Sequence, residues 1–134
     1  MFKSKKQPAI KSLMAQDCVL EGHFNFSEGL RVDGVINGNL TGLPSAPSML
    51  VISETASVVG AVVADHIIIN GKVQGPVQAR TLLELQPKAH VTGDVSYQTL
   101  EMHRGAVVDG RLIPAVVQER DQEKPTLKLA ANNR

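Results

Sequence analysis

Val73-Gln74-Gly75-Pro76-Val77 is one copy of a phrase that organises the chain: an apolar residue, a spacer, glycine, a spacer and a second apolar residue. The other copies read Leu20-Glu21-Gly22-His23-Phe24, Ile36-Asn37-Gly38-Asn39-Leu40, Val58-Val59-Gly60-Ala61-Val62, Val91-Thr92-Gly93-Asp94-Val95 and Val108-Asp109-Gly110-Arg111-Leu112. Their glycines stand 16, 22, 15, 18 and 17 residues apart, steady enough to mark structural repeats.

A second phrase alternates with the first. Leu30-Arg31-Val32, Leu50-Val51-Ile52, Ile67-Ile68-Ile69, Leu83-Glu84-Leu85 and Leu100-Glu101-Met102 each set two apolar residues two positions apart, on one face of a strand. From there the chain returns to the next glycine by one of two routes. The shorter passes through Asp33-Gly34 or Asn70-Gly71, which turn tightly because glycine tolerates positive φ. The longer passes through Ser53-Glu54-Thr55-Ala56, Gln86-Pro87-Lys88-Ala89 or His103-Arg104-Gly105-Ala106.

Units this short leave no room for a strand-helix-strand crossover. They fit single coils of a parallel β-helix, each strand pairing with its equivalents in neighbouring coils. The expected fold is all-β, a β-helix of about six coils over residues 17–113. At about 4.8 Å per coil the rod is roughly 29 Å long. Leu20, Ile36, Val58, Val73, Val91 and Val108 form an inward column, and the residues beside the glycines, mostly polar, face outward. Asp94 and Arg111 share an outward column one coil apart and are placed to pair. The longest interval holds Leu43-Pro44-Ser45-Ala46-Pro47-Ser48, whose prolines cannot donate to a ladder, so it reads as a loop bulging from one corner.

Residues 1–16 carry lysines, a proline and no strand alternation, and read as a flexible tail. Met1 and Phe2 beside Lys3, Lys5 and Lys6 combine apolar groups with cations, the ingredients for binding an anionic membrane surface. Residues 114–134, opened by Pro114 and rich in charge, read as a second flexible tail.

The net charge of +1 conceals an asymmetry: residues 1–11 hold four lysines and no acid, whereas residues 12–113 hold six basic and ten acidic residues. An acidic body with one tyrosine, three phenylalanines and no tryptophan argues against a nucleic-acid partner. The single cysteine, Cys18, has no intramolecular disulfide partner and no neighbour for a zinc site, which suits a reducing cytoplasm. No stretch reaches the roughly 20 apolar residues of a membrane span, and the start lacks the apolar run of a signal peptide.

Catalytic chemistry is hard to assemble from these residues. The competing reading is a small acyltransferase of the hexapeptide-repeat type, also built of coils, but its six-residue apolar period is broken here. It also needs a histidine as general base. His23, His66, His90 and His103 stand in four different contexts. His66 alone adjoins an acid, Asp65, and neighbours on a strand point to opposite faces. With no glycine loop leading into Lys and Ser or Thr, nucleotide is not expected either. The expectation is no enzyme, no cofactor and no metal.

In the order and spacing of Leu30-Arg31-Val32-Asp33-Gly34, Ile36-Asn37-Gly38, Ile69-Asn70-Gly71-Lys72-Val73-Gln74-Gly75, Leu83-Glu84-Leu85, Val91-Thr92-Gly93-Asp94-Val95 and Gly105-Ala106, the chain resembles the bactofilins, bacterial cytoskeletal proteins. The resemblance spans about residues 17–113. It implies a right-handed, three-sided parallel β-helix that polymerises end to end without nucleotide or other cofactor. It also implies a scaffold on the inner face of the cytoplasmic membrane, often for cell-wall enzymes, with Met1-Phe2-Lys3-Ser4-Lys5-Lys6 as a membrane-binding peptide.

The physics of a coil stack points the same way. An end coil has unpaired backbone groups and an open core, a template for another chain unless it is capped. Neither tail offers an amphipathic cap. Leu20, Phe24 and Phe26 are therefore expected at one polymer interface, and Val107, Val108 and Leu112 at the other.

Overall fold

In the computed structural model, residues 10–44 and 47–115 are described. They form sixteen strands, and among them there is no helix. The first coil is β1 (Ile10–Met14), β2 (Val19–Glu21) and β3 (Phe24–Phe26), and the second is β4 (Glu28–Val32), β5 (Val35–Asn37) and β6 (Leu40–Gly42). Next come β7 (Ser48–Ile52), β8 (Ser57–Val59), β9 (Val62–Ile69), β10 (Lys72–Gln74) and β11 (Val77–Leu85). Both β9 and β11 run around a corner and serve two faces each. β12 (His90–Thr92) and β13 (Val95–Tyr97) complete the fifth coil; β14 (Thr99–Met102), β15 (Val107–Asp109) and β16 (Leu112–Pro114) make the sixth.

Every pairing is parallel, and the pairings sort into three faces. On the first face β2, β5, β8, β10, β12 and β15 stack in that order. The second face stacks β3, β6, the first halves of β9 and β11, β13 and β16. The third stacks β1, β4, β7, the second halves of β9 and β11, and β14. The described residues thus form a three-sided β-solenoid of six coils.

The solenoid begins earlier than expected. Residues 1–16 read as a tail, yet Ile10–Met14 is a strand paired with β4, Met14 opposite Val32. A turn explains how the chain gets from there to the first glycine phrase. The Cys18 amide donates to the Ala15 carbonyl (3.1 Å), as Ala56 does to Ser53 (3.0 Å), Ala89 to Gln86 (2.9 Å) and Ala106 to His103 (3.1 Å). Ala15–Cys18 is therefore a fourth copy of the longer return.

The core is a set of aliphatic columns. Ile36, Val58, Val73 and Val91 stack on the first face, and Ile52, Ile69 and Leu85 on the third, all essentially inaccessible. Full burial of each such side chain is worth about 1.5–3 kcal/mol. β-Branched residues dominate because they suit an extended backbone with close neighbours above and below. The glycine column fixes the spacing between coils at one corner. Gly60 has φ 147°, and a Cβ there runs into the carbonyl oxygen of Gly38 in the coil beneath. Only glycine meets both demands.

The proline-containing loop lies at the corner between β6 and β7, and a polar network fastens its base. The wholly buried Ser48 donates its amide to Asp65 Oδ2 (2.8 Å) and accepts the Asp65 amide on Oγ (3.0 Å). Arg80 donates to Asp65 Oδ1 (3.3 Å) and to the Gly42 carbonyl (2.7 Å).

Candidate assembly surfaces at the two ends

Ten large apolar side chains are exposed among the described residues, and eight of them sit in the first or last coil. Those eight are Ile10, Leu13, Val19 and Leu20 at one end and Met102, Val107, Leu112 and Ile113 at the other. Several occupy core columns. Leu20 stacks on Ile36, yet Leu20 is 39% exposed and Ile36 1%. At the far end Met102 stacks on Leu85, and the exposures are 45% and 0%. Leu112 and Val95 differ in the same way, 45% against 0%.

Where the expected interface residues lie can be stated directly. Leu20 is on β2 and Phe24 and Phe26 on β3, and all three border a cavity of about 200 Å³ where the core opens at the first coil. Met14 and Ser12 of β1 complete its rim. Val107 and Val108 are on β15 and Leu112 on β16, in the last coil. Ile10 and Met14 in the first coil and Leu100 and Met102 in the last are further apolar residues at these ends that the sequence reading did not single out. Eight residues separate Met14 from Gly22, as they separate Ile52 from Gly60, and that was the available signal. Met1, Phe2, Lys3, Lys5 and Lys6 lie outside the described residues.

Among the described residues each end strand also has one backbone edge without a partner strand. β2 and β15 are the outer members of the first face's order, and β1 and β16 are the outer members of the main path through the other sheet. Such edges accept further strands.

Polar contacts hold the last coil to the one beneath it around its perimeter. Arg111 donates its amide to Asp94 Oδ1 (3.0 Å) and its guanidinium to Oδ2 (2.9 Å), the pairing expected from their column. Those hydrogen bonds hold the Asp94 carboxyl below the usual carboxylate range. His90 Nε2 lies 3.1 Å from Asp109 Oδ2, and His103 Nε2 lies 3.0 Å from Glu84 Oε2. At the first coil His23 Nδ1 is 2.9 Å from the Asn39 amide nitrogen, and Lys11 meets Glu28 at 3.0 Å. Further in, Asp33 is lowered by a hydrogen bond from Ser53 and then by Arg31.

These contacts bear on chemistry. Three of the four histidines bridge successive coils at separate places on the surface, and His66 Nδ1 is buried with no hydrogen-bond partner among the described residues. Asp65, the acid beside His66, is engaged by Ser48 and Arg80. Glu84, Glu101 and His103 bring their ligand atoms within 4.8 Å of one another and have the donor types for a divalent cation. The His103–Glu84 hydrogen bond gives that group a structural use between β11 and β14.

Among the described residues no helix is long and apolar enough to cross a membrane. Comparisons with curated proteins and with solved structures gave no match. A family model described as bactofilin, polymer-forming cytoskeletal, matches residues 12–113. It starts inside β1 and ends inside β16, covering almost the whole six-coil stack. The six-coil solenoid of the described residues and this match together identify the chain as a member of the bactofilin family of polymer-forming cytoskeletal proteins.

Proposed function

We propose that the chain assembles end to end, without nucleotide, into filaments on the inner face of the cytoplasmic membrane, where they position cell-envelope or cell-shape machinery. The observation that carries this reading is the exposure of core-column residues at both ends. Leu20, Met102 and Leu112 stand where a further coil would bury them, as inner coils bury Ile36, Leu85 and Val95. A second chain stacked there closes the core and pairs the free strand edges in one step. Such a joint needs no energy source, because it repeats the contact that already holds one coil on the next.

The family's polymer-forming character supports self-association, and a structural role in place of an enzymatic one. The membrane part rests on the sequence of Met1, Phe2, Lys3, Lys5 and Lys6. The test is negative-stain microscopy of the untagged chain without nucleotide, with liposome co-sedimentation alongside. Filaments that bind anionic liposomes, and lose that binding but not polymerisation when residues 1–6 are deleted, are the expected result. Discrete particles of one to three chains overturn the assembly reading. Undiminished liposome binding by the shortened chain overturns the anchor.

A further inference from the structure

We propose that the third face is a lateral interface for a second copy of this chain, packed face to face with its axis reversed. The inference rests on the end-to-end reading above, because the contact acts between filaments. From first coil to last, the outward column of this face runs Leu13, Arg31, Val51, Ile68, Glu84 and Glu101. Its centre is aliphatic and partly exposed, with a cation on one side and two carboxylates on the other. Arg31, Val51 and Ile68 line a shallow depression of about 290 Å³. On the other faces the outward positions at the two central levels are mixed, Ser57 and Val59 beneath Lys72 and Gln74, and Val63 beneath Gln78, so neither stacks two aliphatic residues there.

This gradient is self-complementary in one arrangement. A two-fold axis lying in the face, parallel to the strands, reverses the order of the coils and keeps each column opposite itself. Val51 then meets Ile68 of the second copy, and Arg31 meets its Glu84. Arg31 uses Nε on Asp33 (3.0 Å), and the side-chain donors to Glu84, His103 and Gln86, both lie on Oε2. The second guanidinium edge and Oε1 are the atoms that cross the interface. Parallel packing instead sets Arg31 level with Arg31 and Glu84 level with Glu84.

The face measures roughly 29 Å by about 15 Å, near 400 Å², against about 800 Å² per partner in a stable complex. A single pair is therefore weak. Filaments whose joints keep these faces in line multiply it, so pairing belongs to the polymer and not to the free chain.

Microscopy of the full chain tests this, with circular dichroism confirming each variant's β-structure. Wild-type filaments run in pairs, and Ile68→Glu gives single filaments of undiminished length. Arg31→Glu and Glu84→Arg each weaken pairing, and both changes in one chain restore it, because the swapped charges meet again across the two-fold axis. Single wild-type filaments overturn the inference and leave end-to-end assembly standing. A double variant that stays single overturns the antiparallel arrangement. If Ile68→Glu leaves pairing intact and lowers liposome binding, the face belongs to the membrane. If deleting residues 1–6 abolishes pairing while Ile68→Glu does not, pairing runs through that segment, and either result overturns the proposal. An absence of filaments in every sample overturns the end-joint reading and the inference with it.

Discussion

Val73 and Leu20 occupy the same column of the same face, four coils and one coil from the start, and they live in different environments. Val73 has a neighbour above and below and is inaccessible; Leu20 has Ile36 on one side only and is 39% exposed. The glycine column shows the same contrast. A Cβ on Gly60 strikes backbone, whereas one on Gly22 finds only the tip of the Phe24 ring at 3.9 Å. In a solenoid, core is not a property of a residue type or of its local pattern. It depends on how many coils stack against that level.

The contrast can be broken most forcefully in its middle. Val73→Asp buries an unpaired carboxylate and costs on the order of 4–5 kcal/mol, a large part of the roughly 5–15 kcal/mol that holds a domain. Loss of the cooperative β-sheet signal in a thermal melt is the expected result. Leu20→Asp is the matched end variant and shifts stability by only about 1 kcal/mol; its effect appears in sedimentation, as loss of polymer. If both unfold the chain alike, the distinction between inner and end coils fails.

Phe24→Arg sharpens the comparison at the joint itself. It leaves a folded chain and removes or shortens filaments, read by microscopy beside circular dichroism. Filaments of normal length exclude the first coil from the joint.

A smaller difference is expected in the glycine column. Gly22 has φ 125° and Gly60 φ 147°, so alanine at either carries a backbone penalty of roughly 1–2 kcal/mol. Gly60→Ala adds a clash with the coil beneath and melts several degrees below Gly22→Ala. In polymer the order of harm narrows if a second chain stacks on Gly22. Val59 makes the control: it is 44% exposed but lies on β8, away from both ends, and Val59→Ser leaves melting and filament length unchanged.

The smallest effect is electrostatic and belongs to the last coil. The folded pKa of Asp94 is depressed below 3.8 by Arg111, so its contribution is present above that value and disappears as pH falls through the lowered one. Asp94→Asn therefore changes the melting temperature slightly at neutral pH and not at all in strong acid. The pair is exposed and screened, so raised salt shrinks even that difference. A large effect at neutral pH means the last coil is held by this contact more than by stacking.

Much of this architecture could be read from the chain. Five phrases such as Leu83-Glu84-Leu85 and six glycine phrases mark most of the strands, and the pairing of Asp94 with Arg111 followed from column position alone. β1 escaped that reading. Its inward positions are Ser12 and Met14, opposite Leu30 and Val32, whereas Leu13 faces outward opposite Arg31 and is 63% exposed. With serine inside and leucine outside, Ile10–Met14 carries no apolar alternation to find. The ladder with β4 makes it a strand.

The sequence by itself determined the repeat, the inward and outward sides of each coil, and the corner where only glycine serves. Period-two alternation and turn chemistry act over a few residues, so they are written locally. Only the tertiary structure decided that Ile10–Met14 belongs to the stack, that Leu20, Met102 and Leu112 lack a covering coil among the described residues, and that one face carries Arg31, Val51, Ile68 and Glu84 in a line. Those facts depend on which residues, some 15 to 20 positions apart, come to rest on one another. No window of sequence contains that stacking until the ladders have closed.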